Sequence, residues 1–236
     1  WEEWGRRDPL YGVATWPGKD RHSADPWTDA DFYSTGQADW REFLLRWERF
    51  GVVARTCLEI GCGAGRITRW IADSFDRVVA VDVSPDMIRY AREHVPSNVE
   101  FHVVEGTTLP VPQNSIDAVF SVLVFQHFED VRDAEEYLRE VARVLTPGGT
   151  MMIQFPMYEW PGQFAGYRFI FSVRRLAARL RGEFRRGYLR WARGPLFFRY
   201  LRFETAWIET ILPQLGLEDI ELIHFRPRSH PEWLTF

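Results

Sequence analysis

The sequence has 236 residues, of which 46% are hydrophobic and 26% charged, and carries a net charge of −4. That length suits one domain with an appendage, and that composition excludes a wholly disordered, collagen-like or coiled-coil chain. The two cysteines, Cys57 and Cys62, match no zinc spacing and make no disulfide framework, which points to a reducing compartment and a cytoplasmic location. No apolar run approaches the roughly 20 residues of a membrane span. The chain opens at Trp1 with no basic and apolar leader; starting without methionine, it reads as trimmed or partial, so targeting stays open.

Residues 1–50 form an N-terminal cover, rich in tryptophan and aspartate. The first thirty, punctuated by Pro9, Gly12, Pro17, Gly18 and Pro26, are expected to be irregular. A helix is predicted over 37–50, where Phe43, Leu44, Trp47 and Phe50 recur at helical spacing and Gly51 stops it.

Residues 51–155 alternate strand and helix: strands at 56–60, 77–83, 99–104, 116–122 and 150–155, helices at 65–75, 85–94 and 134–145, and a turn at 146–149. That alternation means a parallel sheet covered on both faces. Residues 156–202 break the rhythm. Between 161 and 203 there are eleven arginines and one acid, Glu183, a local charge of +10 against −14 for the rest. Phe169, Val173, Leu176 and Leu180 repeat at helical spacing beside Arg168, Arg175 and Arg179, as in a basic amphipathic helix. Residues 203–236 are read as closing elements, a helix at 203–215 and strands near 217–225 and 232–236.

The chemistry lies after the first strand. Leu58-Glu59-Ile60-Gly61-Cys62-Gly63-Ala64-Gly65-Arg66 runs from strand through a glycine-rich turn into a helix. Such a turn lets the backbone approach a ligand, and the helix behind it offers N–H groups and a positive dipole end. The spacing is GxGxG rather than the dinucleotide GxGxxG, with Arg66 where that fingerprint needs its last glycine. Two acids flank the turn, Glu59 before it and Asp82 at the end of the next strand, where an acid accepts from ribose hydroxyls.

These residues resemble the class I S-adenosylmethionine-dependent methyltransferases. LEIGCGAGRIT is similar to the family's first motif and VVAVDVSPDMIRYAR to its second strand and helix. VVEGTTLPVPQNSIDAVFSVLVFQHFED and LREVARVLTPGGTMMIQF are similar to the later strands and turn, so the likeness covers about residues 52–155. The resemblance implies an α/β, Rossmann-like, seven-stranded and mostly parallel sheet, with S-adenosyl-L-methionine as cofactor and S-adenosyl-L-homocysteine as product. It also implies roles. Gly61, Cys62, Gly63 and Gly65 would form the floor under the methionine and ribose, Glu59 would meet the methionine ammonium, and Asp82 would hold the ribose diol. Val83 would pack on adenine, Glu105 would face the adenine amine, and Gly106 would offer its N–H to the ring. Ser121 and Val122 would line the methionine end, and Tyr33 or Phe32, with Gly36 opening the helix, would shield the sulfonium; the alternative is ordinary core packing of the N-terminal helix.

His127 follows the fourth strand and is the candidate catalytic base; the alternative is that it only positions the next helix. His224 and His230 are weaker candidates, and His22, His94 and His102 read as structural or exposed. The expected reaction is methyl transfer to a small-molecule acceptor, first an oxygen of a sugar, glycan or secondary metabolite. N- or C-methylation comes next, then a non-catalytic cofactor-binding scaffold; a dehydrogenase is disfavoured by Arg66. No metal is expected. The Arg-rich insert is read as a lid or homodimer element, with an acidic acceptor or a peripheral membrane contact as alternatives, and no nucleic-acid partner is expected.

Overall fold

The computed structural model describes residues 2–128, 130–157, 201–227 and 234–236. The Arg-rich helix expected around 168–180 and His230 lie outside these residues. The described chain runs α1 (Glu2–Arg7), α2 (Pro9–Val13), α3 (Asp29–Trp47), β1 (Thr56–Ile60), α4 (Thr68–Ser74), β2 (Arg77–Asp82) and α5 (Pro85–His94). It continues through β3 (Val99–Val103), β4 (Ile116–Ser121), α6 (Val131–Val144), β5 (Leu145–Ile153), α7 (Thr205–Gln214), β6 (His224–Phe225) and β7 (Leu234–Thr235).

β1 to β5 form one parallel sheet in the order β3-β2-β1-β4-β5. Side chains alternate along the strands, and each face is claimed by its own helices. Leu58, Ile60, Val79, Val81 and Val119 pack with Leu138 and Val141 of α6 and Ile208 and Ile211 of α7. Cys57, Val78, Ala118 and Phe120 pack instead with Trp40, Phe43 and Trp47 of α3 and Ile71 of α4. The sheet is therefore buried on both sides, and its connections put the reversal of strand order between β1 and β4, where open α/β sheets bind ligands.

Three expectations need correction. Among the described residues the sheet has five strands, not seven. The closing segment contributes only a two-residue antiparallel ladder, β6 with β7, tied to the end of β5 by Phe155 N–H donating to Thr235 O at 2.8 Å. Its run-up carries Glu218, Asp219 and Glu221, and Asp219 has φ +53°, which breaks extended backbone before a longer ladder forms. The first thirty residues are not wholly irregular: Asp8 caps α2 by accepting from Tyr11 N–H, and Pro9 fits its first turn. And α3 begins at Asp29, with Thr28 accepting from Asp31 N–H and acids in the first turn, so Gly36 lies inside the helix rather than at its start.

Candidate active site

The glycine turn leaves the end of β1 at the strand-order reversal. Gly61, Gly63 and Gly65 have φ of +77°, +52° and +82°, a region that glycine enters without cost. Gly61 and Cys62 N–H both donate to Val81 O, at 2.8 and 3.1 Å, which folds the turn back across β2. There it meets Asp82, whose Oδ2 accepts from Gly63 N–H at 2.8 Å and whose Oδ1 accepts from Ser84 N–H at 2.9 Å. Burial raises the Asp82 pKa, with the Ser84 and Gly63 N–H groups pulling it back. One carboxylate thus ties the turn to the start of α5 and keeps lone pairs for a ligand.

Glu59 lies beneath the turn. Its side chain is 3% exposed, and Oε2 has no hydrogen-bond partner among the described residues. Burial pushes its pKa up to about 7, against the Thr68 side chain, which pulls it back, and with the negative charge of Asp82 adding to the push. A buried carboxyl oxygen without a donor is a costly feature in a folded protein. An incoming ammonium group would complete it. This fits the methionine end of the cofactor, and the twice-engaged Asp82 carboxylate fits a ribose diol. When bound, that cofactor would supply an electrophilic methyl group on a sulfonium; Glu59, Asp82 and the turn are the residues that would hold it.

Val83, next to Asp82, is 47% exposed although apolar, at the mouth beside β2. Glu105 and Gly106 are exposed past the end of β3, with Gly106 O accepting from Tyr137 OH at 2.9 Å. Ser121 is fully buried and its hydroxyl donates to Ile60 O at 3.0 Å, so it clamps β4 to β1, while Val122 is half-buried beside it. Tyr33 is buried, with its hydroxyl donating to Ala64 O at 2.9 Å and its ring near His94 at 6.1 Å between centroids. Its hydroxyl therefore braces the glycine turn from the α3 side. Phe32 is fully buried against Trp27 and Tyr33.

His127 lies in a short 3₁₀ turn, Phe125–His127, after β4. Its ring lies close enough to the Leu123 backbone to favour the charged form, and Nε2 lies 3.3 Å from the Gln126 side-chain nitrogen. Burial lowers its pKa to about 4. His224 meets Thr235 Oγ1 at 2.9 Å in the small ladder, and burial lowers its pKa. His94 stacks on Tyr90 and approaches Asp29, His102 pairs with Glu100, and His22 is exposed. Both cysteines are free and buried, and among the described residues no three or more His, Cys, Asp or Glu side chains converge as metal ligands do.

Two features escaped the sequence reading. Arg66, recognised only as a missing glycine, forms a buried ion pair with Asp39 of α3 at 2.7 Å. Leu123 has φ +61°, a conformation costing a leucine about 1–3 kcal/mol. An Asp at helical spacing inside an aromatic helix was the available signal for the first; the second left no signal.

This architecture, a five-stranded parallel sheet with a glycine turn and two flanking acids at the strand-order reversal, is that of the class I methyltransferase fold. Residues 58–153 match the family described as a methyltransferase domain. The chain is 38% identical over 125 residues to a malonyl-[acyl-carrier protein] O-methyltransferase of Hahella chejuensis, covering 52% of this chain and 43% of that one. It is 31% identical over 119 residues to a demethylmenaquinone methyltransferase of Tropheryma whipplei, covering 49% and 47%. It spans less than half the length of these curated relatives. In fold it is similar to phosphoethanolamine N-methyltransferase 2 of Haemonchus contortus, solved in complex with S-adenosyl-L-methionine. There the TM-score is 0.58, the identity 24%, and the match covers 85% of this chain and 44% of that one. Among the described residues no helix is long and apolar enough to cross a membrane.

Proposed function

We propose that this protein transfers a methyl group from S-adenosyl-L-methionine to a small, anionic acceptor through an oxygen that arrives already ionised. The observation that carries the cofactor half is the buried Glu59 carboxyl under the glycine turn, whose Oε2 is without a partner among the described residues, with Asp82 beside it. In this reading Glu59 takes the ammonium, Asp82 the ribose diol and Val83 the adenine face. Gly61, Cys62, Gly63 and Gly65 supply the floor, Glu105 and Gly106 the adenine edge, and Ser121 and Val122 the wall at the methionine end. Tyr33 keeps the turn in place from behind.

The acceptor half rests on His127 and on charge. A histidine whose pKa lies near 4 is neutral at pH 7 and holds an abstracted proton weakly, so it is a poor base for a neutral hydroxyl. An ionised oxygen needs no base, and alignment alone is worth about 7–11 kcal/mol. The arginines of 161–203 suit such an anion. The chain enters that segment at Met157 and leaves it at Phe203, residues that bridge each other, and Leu201 N–H donates to Gln126 O at 2.9 Å. Both ends of the segment are thus rooted beside His127. Relatives named for an acyl-carrier-linked substrate and for a menaquinone precursor support a small-molecule acceptor.

Calorimetry with S-adenosylhomocysteine and NAD tests the cofactor. The first should bind and the second should not, and Asp82→Ala should weaken binding by about 1.5–3 kcal/mol, the range for a charge-assisted hydrogen bond. Labelled methyl transfer across carboxylates, phenols, sugars and amines tests the acceptor. Sugar methylation that collapses below neutral pH would replace this reading by one in which His127 is a working base.

A further inference from the structure

We infer that Gln154 is a positioning residue for the methyl-transfer site, holding Leu123 in a left-handed kink that seats Val124 and His127 at the end of β4. The meaning of that site rests on the methyltransferase reading above; the clamp rests on geometry alone.

β4 ends at Ser121, and two residues later the backbone takes a turn that leucine avoids. The other described non-glycine residues at positive φ are an Asn and an Asp, types that tolerate the region. Leu123 has no such excuse in its own side chain, so contacts from elsewhere must impose the turn. Gln154 supplies one. It is buried just past β5, and its backbone N–H donates to Ser121 O at 2.9 Å, which fixes the root of its side chain against β4. Its Oε1 then accepts from Leu123 N–H at 3.1 Å. On the far side of the same residue, the Leu123 backbone lies close enough to the His127 ring to favour its charged form. Leu123 thus has Gln154 on one side and His127 on the other.

The turn has two consequences. Val124 comes back over β1, so close that a Cβ on Gly61 would lie 2.2 Å from Val124 Cγ2. And Val124 O accepts from His127 N–H at 2.9 Å, closing the 3₁₀ turn that presents the ring. One side-chain carbonyl just past β5 therefore sets the spacing between the glycine turn and the residues proposed to face the transferred methyl group. Glutamine suits the task because it is a neutral acceptor, whereas a buried carboxylate there would need a charge partner.

Gln154→Leu keeps the size and removes the acceptor; Leu123→Gly lets the backbone take the kink without the clamp. Three readouts on the full chain separate the cases: kcat and KM for methyl transfer, S-adenosylhomocysteine affinity, and the NMR titration of His127, assigned with His127→Asn. Gln154→Leu should cut kcat at least tenfold, change cofactor affinity less than threefold, and move the His127 pKa up from about 4 toward its ordinary range as the ring loses its seat. Adding Leu123→Gly should bring kcat to within threefold of wild type and restore the titration. Unchanged kcat and titration in Gln154→Leu would overturn the proposal, as would losses that Leu123→Gly fails to rescue. Should Gln154→Leu not accumulate, the double variant is expected to fold and titrate like wild type, and its failure to do so counts against the clamp. If wild type binds no S-adenosylhomocysteine, the functional reading fails by itself, and the His127 titration still decides the role of Gln154.

Discussion

Glu59 and His127 are moved out of their ordinary titration ranges by the same cause, burial, in opposite directions. Glu59 rises to about 7, so near neutral pH much of it is protonated in the free protein. An ammonium brought against it favours the ionised form, and binding then releases a proton. S-adenosylhomocysteine affinity should accordingly fall by up to about tenfold per pH unit below 7, and calorimetry in buffers of different ionisation enthalpy should register the released proton. Glu59→Gln should bind more weakly and lose the pH dependence. A wild-type affinity flat from pH 5.5 to 8 would remove Glu59 from the cofactor site. The stability terms have opposite signs. Folded Glu59 holds its proton above the unfolded range of about 4.3, so its contribution is full at low pH and lost as pH rises toward 7. Folded His127 refuses a proton that the unfolded chain takes below about 6.5. Its contribution is therefore present above that pH and lost as pH falls toward 4. Substituting His127 by Asn should flatten the acid side of the thermal-midpoint profile, and His127→Asn with an unchanged acid limb would deny the burial of the ring.

α3 is held to the glycine turn by two contacts that act together. A Cβ added to Gly36 would lie 2.0 Å from Arg66 O, so the helix and the turn touch backbone to backbone. Three residues on, Asp39 meets the Arg66 guanidinium at 2.7 Å, with side chains 1% and 7% exposed. Breaking a buried pair strands a charge and costs about 3–5 kcal/mol, whereas replacing both partners by apolar groups is often neutral. Asp39→Ala should lower the thermal midpoint by roughly 6–20 °C at about 2–4 °C per kcal/mol for a chain of this size, and Asp39→Leu with Arg66→Met should recover most of it. Equal losses in both variants would mean that the pair is held for packing rather than charge. This contact also marks what a sequence discloses. β1 and α5 lie where hydrophobic runs, Pro85 at the helix start and the Ser84 cap put them, because their signals are local. The glycine turn and Asp82 were legible for the same reason, as a spacing within one strand–turn–helix unit. The partner of Arg66, the clamp on Leu123 and the brace from Tyr33 to Ala64 each join residues about 30 apart and depend on how elements dock. The seven-strand expectation failed at the C-terminal segment, where among the described residues two-residue strands pair with each other in a separate ladder instead of extending the five-stranded sheet.

The molecule divides its charge unequally, +10 within 161–203 and −14 elsewhere. Of the described residues next to or within that segment, Met157 bridges Phe203 and Leu201 N–H donates to Gln126 O, beside His127. If the arginines capture an anionic acceptor as proposed, they raise its local concentration and encounter rate through a field that salt screens. The screening length falls from about 10 Å at 0.1 M to about 3 Å at 1 M. KM for an anionic acceptor should therefore rise about tenfold or more between low and high salt, while kcat, set by alignment once the acceptor is seated, should move little. The affinity for S-adenosylhomocysteine should be nearly constant, because Glu59 and Asp82, the residues proposed to hold it, lie at the largely buried glycine turn. Replacing Arg174, Arg175, Arg185 and Arg186 together by Gln should reproduce the high-salt KM at low salt and remove most of the remaining salt dependence. A salt-independent KM would detach the arginines from acceptor capture. If the same variant changed the sedimentation coefficient of the protein instead, the charge would belong to an interface between copies of this chain.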